Sequence, residues 1–283
     1  MKQKFIRFLS SLSFSSILAL AILLIVVLLS ALAPWLAPYD PNEVNMSERL
    51  AQFSSSHWFG TDHLGRDVLS RLLYGGRLTL VLALLASVVT MAIGLAFGTI
   101  AGYFGGRVDD FIQFVVNMFQ GLPGLSFMLA IAGILGPGAT SLFIAVVITS
   151  WADFSRIVRG EVLKIREEHY IDGVRALGAG HFYIMFRYLI PNLIGPVIVL
   201  FTVRIGRTML AIASLSFLGL GLQPPIPDWG VMVNDSRAYF RSYPHLMLLP
   251  GFCIAIISLA INLLGDALRD VLDSRSDVRR IDL

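Results

Sequence analysis

Long apolar runs are the feature that most limits what this chain can become. About 20 consecutive apolar residues cross the ~30 Å of hydrocarbon in a bilayer. The sequence offers six candidates, at residues 14–36, 78–101, 111–135, 140–154, 193–217 and 246–264, the fourth of them short. With 56% hydrophobic and only 14% charged residues, the chain has too little polar surface to cover a compact soluble body. The reading is an all-α polytopic membrane protein of about six transmembrane helices. A net charge of +3 gives no reason to expect nucleic acid as a partner, and a single cysteine, Cys253, rules out an internal disulfide.

The first run has a second reading. Lys2, Lys4 and Arg7 precede an apolar stretch from Ile17 that ends in Ala31-Leu32-Ala33, the layout of a cleavable signal peptide. The stretch exceeds the ~7–15 residues of a signal core, and Pro34 follows the would-be cleavage site, so a retained anchor is expected.

Basic residues set the orientation. With the N-terminus inside, Lys2, Lys4, Arg7, Arg107, Arg156, Arg159, Lys164, Arg166, Arg175, Arg187, Arg269, Arg275, Arg279 and Arg280 are cytoplasmic. Arg49, Arg66, Arg71, Arg77, Arg237 and Arg241 fall outside. Fourteen against six places both termini in the cytoplasm. The expected division is a cytoplasmic N-terminus (1–13), a first transmembrane helix (14–36) and an extracytoplasmic loop (37–77). A five-helix core (78–266) follows, with a cytoplasmic loop at 155–192 and an outer loop at 216–245, before a cytoplasmic tail (267–283).

The inner loop, Glu167–Asn192, is charged yet helix-forming. From Glu161, the apolar positions Val162, Ile165, Ile171, Val174 and Leu177 largely keep helical spacing. Gly178 follows directly, where a residue able to take positive φ ends a helix. A second helix over 181–189 then runs into Pro191, which suits the first turn of the fifth span. Helix, glycine hinge, helix is the shape of a stiff lever that fits a socket in another protein. By spacing alone, amphipathic helices lying on anionic lipid fit equally well.

These residues also resemble the loop through which a separate ATPase drives an ABC-importer permease. Asp172, Gly173 and Val174 stand where that family's loop begins Glu-Ala-Ala, Gly178 at its glycine and Ile190-Pro191 at its close. Gly173 and Val174 form helix less well than the alanines they replace. The resemblance extends over nearly the whole chain. Phe59-Gly60-Thr61-Asp62, Gly65-Arg66-Asp67 and Ser70-Arg71 look like the signature after the first span in the second permease subunit of dipeptide, oligopeptide and nickel importers. Ser216 to Gly221, Gln223-Pro224-Pro225, Trp229-Gly230 with Met232, and Asn262 to Asp270 resemble its later motifs.

The resemblance implies a type I importer fold in a bacterial inner membrane. Its implied partners are a second homologous permease, two cytoplasmic ATP-binding subunits, an extracytoplasmic substrate-binding protein and lipid. ATP and Mg would be bound by the ATPases, with no cofactor, metal or catalytic residue in this chain. Asp172, Gly173, Val174, Arg175, Gly178, Ile190 and Pro191 would couple to the ATPase. Gly60, Asp62, Gly65, Arg66, Asp67, Trp229 and Gly230 would line the outer gate or meet the partner permease. Small peptides are the expected cargo, with nickel or a metal chelate as the alternative.

Two polar features interrupt the spans. Arg204 and Arg207 share one helical face of the fifth, where a charge costs several kcal/mol unless it faces protein or water. They either line the path and attract carboxylates or pair with the partner permease, since no acid stands in the core of this chain's own spans. Gly121-Leu122-Pro123-Gly124 breaks the third span beside Asn117 and Gln120, either as a gate or as a packing kink.

Other chemistries lack their residues. No histidine pair has metal-ligand spacing, and His57 and His63 are expected on a solvated loop. Neither a phosphate-binding G-x-x-x-x-G-K-[ST] nor a nucleophile G-x-S-x-G is present. A secondary transporter driven by an ion gradient, the rival from another class, would need embedded acids.

Overall fold

The computed structural model describes residues 13–281, with side chains through residue 270. The basic N-terminal residues Lys2, Lys4 and Arg7 lie outside the described residues, as do the side chains of Arg275, Arg279 and Arg280. The main helices are α1 (Phe14–Ala31), α2 (Val68–Phe104), α3 (Gly106–Gln120), α4 (Gly124–Leu135), α5 (Ala139–Arg166), α6 (His169–Ala176), α7 (His181–Phe217), α8 (Trp229–Ser236) and α9 (His245–Ile281). Five of them are long and apolar enough to cross a membrane; α3 and α4 together make a sixth candidate, bent by 85°.

Of the boundaries that differ from the sequence expectation, three bear on the sites. Helix α2 begins at Val68 rather than near residue 78, because Asp67 caps it by accepting from the Ser70 backbone N–H at 2.7 Å. Its polar first turns are buried, so the loop before it ends ten residues early. Helix α5 runs on to Arg166, far past the expected end of the fourth span at 154. The expected separate helix over 181–189 is instead the start of α7, with a π-helical turn at Met185–Leu189 just before Pro191. Proline lacks the N–H of that turn and crowds the preceding one, and a wider π turn accommodates both.

The tightest seam joins α2 to α5. Gly94, Gly98 and Gly102, four residues apart, let the two backbones approach closely. A methyl group at Gly98 would sit 2.5 Å from the Ser155 carbonyl oxygen; one at Gly94 would sit 2.8 Å from Phe154 Cβ, and one at Gly102 2.8 Å from Val162 Cβ. Around this seam lies a core of Phe154, Val158, Val162, Ile184, Leu189 and Leu193, and a larger one near the other end centred on Leu142, Met209, Ile212, Leu215 and Trp229.

One end of the bundle carries a folded cap made from residues 37–67 and 218–244. Arg66 and Arg71 are nearly fully buried there. Asp62 accepts from Arg66 Nε at 2.6 Å and lies 3.6 Å from Arg71 Nε, while Arg71 also donates to the Pro41 carbonyl at 2.9 Å. Trp229 donates to the Leu72 carbonyl at 2.9 Å and lies against Gly75 and Gly76, where a side chain would strike its ring. His57 is buried, not solvated: Nδ1 meets Asp67 at 2.9 Å and Nε2 meets Glu48 at 3.3 Å. The opposite end carries the short lobe 167–180.

Candidate functional site

The lobe at 167–180 is built around α6. Its end is a complete glycine cap: Gly178 takes φ +83°, its N–H donates to the Arg175 carbonyl at 3.0 Å, and the Ala179 N–H reaches back to the Val174 carbonyl at 3.3 Å. Val174 and Ala179 pack together against the buried core, as such caps favour.

The helix has two unlike faces. Ile171 is fully buried among Val162, Ile184, Met185 and Leu189. Asp172, Gly173, Arg175, Ala176, Leu177 and Gly178 are exposed, Leu177 by 89%. Asp172 and Arg175 pair at 3.1 Å on the surface, a contact of little stabilising value. A side chain added at Gly173 or Gly178 would meet nothing within 4 Å. Ile190 is half-buried and Pro191 exposed, at the root of α7.

Two contacts fix the lobe to the bundle: Tyr103 Oη lies 3.0 Å from His181 Nδ1, and Arg166 donates to the Gly102 carbonyl at 3.2 Å. Both attach beside the last glycine of the α2–α5 seam. A push on the exposed face of α6 therefore has a stiff route into the bundle.

The second site lies halfway along the helices. Three of the residues singled out in the sequence, Asn117, Gln120 and Arg204, meet there, together with Asp153 and Arg156, which were not. Arg204 donates to the Ser150 carbonyl and lies 3.5 Å from Asp153. Gln120 donates to Asp153 at 3.0 Å, and Arg156 to Asn117 at 2.6 Å. Arg159 holds Asp109 through two bonds at 2.5 Å, tying α5 to α3.

This corrects the expectation that the spans hold no acid to match the arginines. Asp153 stands at the midpoint of α5 and lies 51 positions from its partner, so only the folded chain brings them together. Arg207 is exposed, and among the described residues it has no acidic partner. Pro123 stands at the head of α4, at the 85° bend, which exceeds an ordinary packing kink. Gln120 at the end of α3 meets Asp153 from that bend.

The motif residues near the cap divide differently. Gly60 and Gly65 both take φ +73°, and a side chain at Gly65 would collide with the Asn45 carbonyl. Asp62, Arg66, Asp67, Trp229 and Gly230 are buried and hold the cap together within this chain.

The family model described as "binding-protein-dependent transport system inner membrane component" matches residues 94–278. A second, for the N-terminal transmembrane domain of oligopeptide transport permease C, matches residues 15–52. The chain is 41% identical over 261 residues to a glutathione transport system permease protein of Pectobacterium atrosepticum, covering 91% of this chain and 87% of that one. It is 40% identical over 256 residues to the nickel transport system permease protein NikC of Escherichia coli K12, covering 90% and 92%. A dipeptide transport system permease protein of Alkalihalophilus pseudofirmus is 39% identical over 260 residues, covering 92% and 86%.

Among solved structures, an inward-facing MetNI methionine ABC transporter matches with a TM-score of 0.57 at 16% identity, covering 71% of this chain and 95% of that one. An amino acid ABC transporter matches with a TM-score of 0.55 at 19% identity, covering 69% and 91%. Both share the fold.

Proposed function

This chain belongs to the family of binding-protein-dependent transport system inner membrane components, as a multi-pass permease of an ABC importer, and from that premise we propose how its two polar sites divide the work. The lobe around α6 receives the motion of a partner ATPase. The mid-bundle cluster forms this chain's half of the translocation path, and a second, homologous permease forms the other half. ATP and Mg are held by two ATP-binding subunits, and cargo arrives from a substrate-binding protein at the capped end. That end faces away from the cytoplasm, both termini lie inside, and the membrane is the bacterial inner membrane. The cargo is a small peptide, as the names of the glutathione and dipeptide relatives suggest; a nickel chelate, after the nickel relative, is the second reading.

The observation that carries this reading is the division of α6 into an anchored face at Ile171 and a free face from Asp172 to Gly178. A short helix fixed on one side and bare on the other is a ready contact for a second protein. Closure of the ATPases draws the two lobes together and opens the path toward the binding protein. ATP hydrolysis then resets it.

The test is purification in mild detergent with the bound proteins identified, and ATP hydrolysis measured with and without cargo-loaded binding protein. A second permease and ATPases should co-purify. Gly178→Pro, which cannot adopt φ +83° and loses the bond to Arg175, should remove the stimulation of hydrolysis by loaded binding protein while the subunits still assemble. Full stimulation in that variant would sink the coupling assignment.

A further inference from the structure

We propose that the mid-bundle wall of this chain selects for negative charge, so that cargo bearing an additional carboxylate passes it more readily than cargo bearing an additional ammonium. The inference rests on the pathway reading given above and narrows the cargo by its charge.

Arg156 and Asp153 project from α5, Arg204 and Arg207 from α7, and Asn117 and Gln120 from α3, in a region otherwise lined by apolar helices. Three guanidinium groups face one carboxylate. The two ends of that imbalance differ in kind. Arg204 is tethered on two sides, by the Ser150 carbonyl and by Asp153, and its side chain is only 11% exposed. Asp153 is itself held by Gln120. The two charges offset each other and link α5 to α7, although Arg204 Nε is buried without a hydrogen-bond partner and Asp153 is half exposed.

Arg207 is different. It stands one helical turn nearer the capped end, on the same helical face as Arg204, and is exposed. Among the described residues no acid pairs with it or with Arg156, whose bond goes to the neutral amide of Asn117. Two positive charges are thus left unmatched on this wall.

Such charges beside low-dielectric walls concentrate a positive potential and raise the local concentration of anions. A guanidinium offers a carboxylate paired, parallel hydrogen bonds, which an ammonium or an amide cannot match. Cargo entering from the capped end meets Arg207 before it meets the neutralised Arg204. The exposed setting keeps each contact weak, which a path requires if cargo is also to leave.

The experiment uses the complete transporter, with its partner subunits, reconstituted in vesicles. Uptake is measured for Ala-Glu-Ala and Ala-Lys-Ala, each supplied on saturated binding protein, and the readout is the ratio of the two rates. The wild type should favour the glutamate peptide. Arg207→Gln should lower the ratio about fivefold, the scale of one exposed charge pair, and Arg207→Lys should keep most of it. Asp153→Asn, which strips the acid from the cluster, should raise the ratio.

A general loss of assembly lowers both rates together and cannot produce these opposite shifts. An unchanged ratio in Arg207→Gln together with no rise in Asp153→Asn would overturn the proposal, as would a wild type that prefers the lysine peptide. Uptake that proceeds without ATP would sink the permease reading instead, leaving the charge preference measured on its own.

Discussion

His57 is a single residue on which the cap depends, and its charge decides how strongly. Burial alone would lower its pKa, but hydrogen bonds to Asp67 and Glu48, and the charges of both, outweigh that and raise it above the ordinary value. The folded state therefore favours the protonated ring. The stabilisation is fully present below the unfolded value near 6.5 and is lost as pH rises through the raised folded one. Thermal unfolding followed from about pH 6 to 9 should show the wild type losing stability with rising pH, and His57→Gln should flatten that slope. His57→Gln should also cost about 1–3 kcal/mol at the acidic end, because Asp67 loses a partner in a buried site. A wild type indifferent to pH across that range would remove the charged pairing. The histidine's role was hidden in the sequence: Glu48, His57 and Asp67 are spread along a stretch that reads as polar loop, and nothing in their spacing says that the stretch folds onto itself.

Elements were more legible than the contacts between them. The break at Pro123 and the end of α6 at Gly178 follow from backbone chemistry, so both could be placed from residue types alone. The start of α2 was also written locally, in Asp67 with a serine three positions on, but the arginines that follow disguised a helix as a loop. The bend angle at Pro123 and the partner of the glycine stripe depend on the other helices and have no local signature. The stripe makes a sharp prediction. Gly98→Leu should destabilise the α2–α5 seam by about 1–3 kcal/mol or more through overpacking, read as a lowered unfolding temperature of the purified protein. Gly133→Ala, at a helical position with open space around it, should be neutral or slightly stabilising. Equal behaviour of the two variants would mean that the seam is looser than its geometry implies.

For the whole molecule, the all-α membrane class could be read from hydropathy because the bilayer sets the length of each apolar helix, while the expected six spans are met by five long helices and a sixth candidate bent by 85°. What escaped was long-range: Asp153 and Arg204 come from different helices, and no pattern along the chain announces their meeting. Orientation rests on the distribution of arginine and lysine. Reporter fusions should place Asp62 on the extracytoplasmic side of the membrane and Arg175 on the cytoplasmic side, and the reverse result would overturn the proposed topology.

The glycine seam also limits how such a body can change state. With α2 and α5 backbones nearly touching at Gly94, Gly98 and Gly102, neither helix can slip along the other without driving side chains into main chain. The two behave as one welded beam, with the cap at one end and the lobe at the other. On the coupling reading proposed above, displacement of the lobe would travel along this beam as one rigid rotation of α2 and α5, leaving the compliance for opening and closing to the joints around it, such as the bend at Pro123.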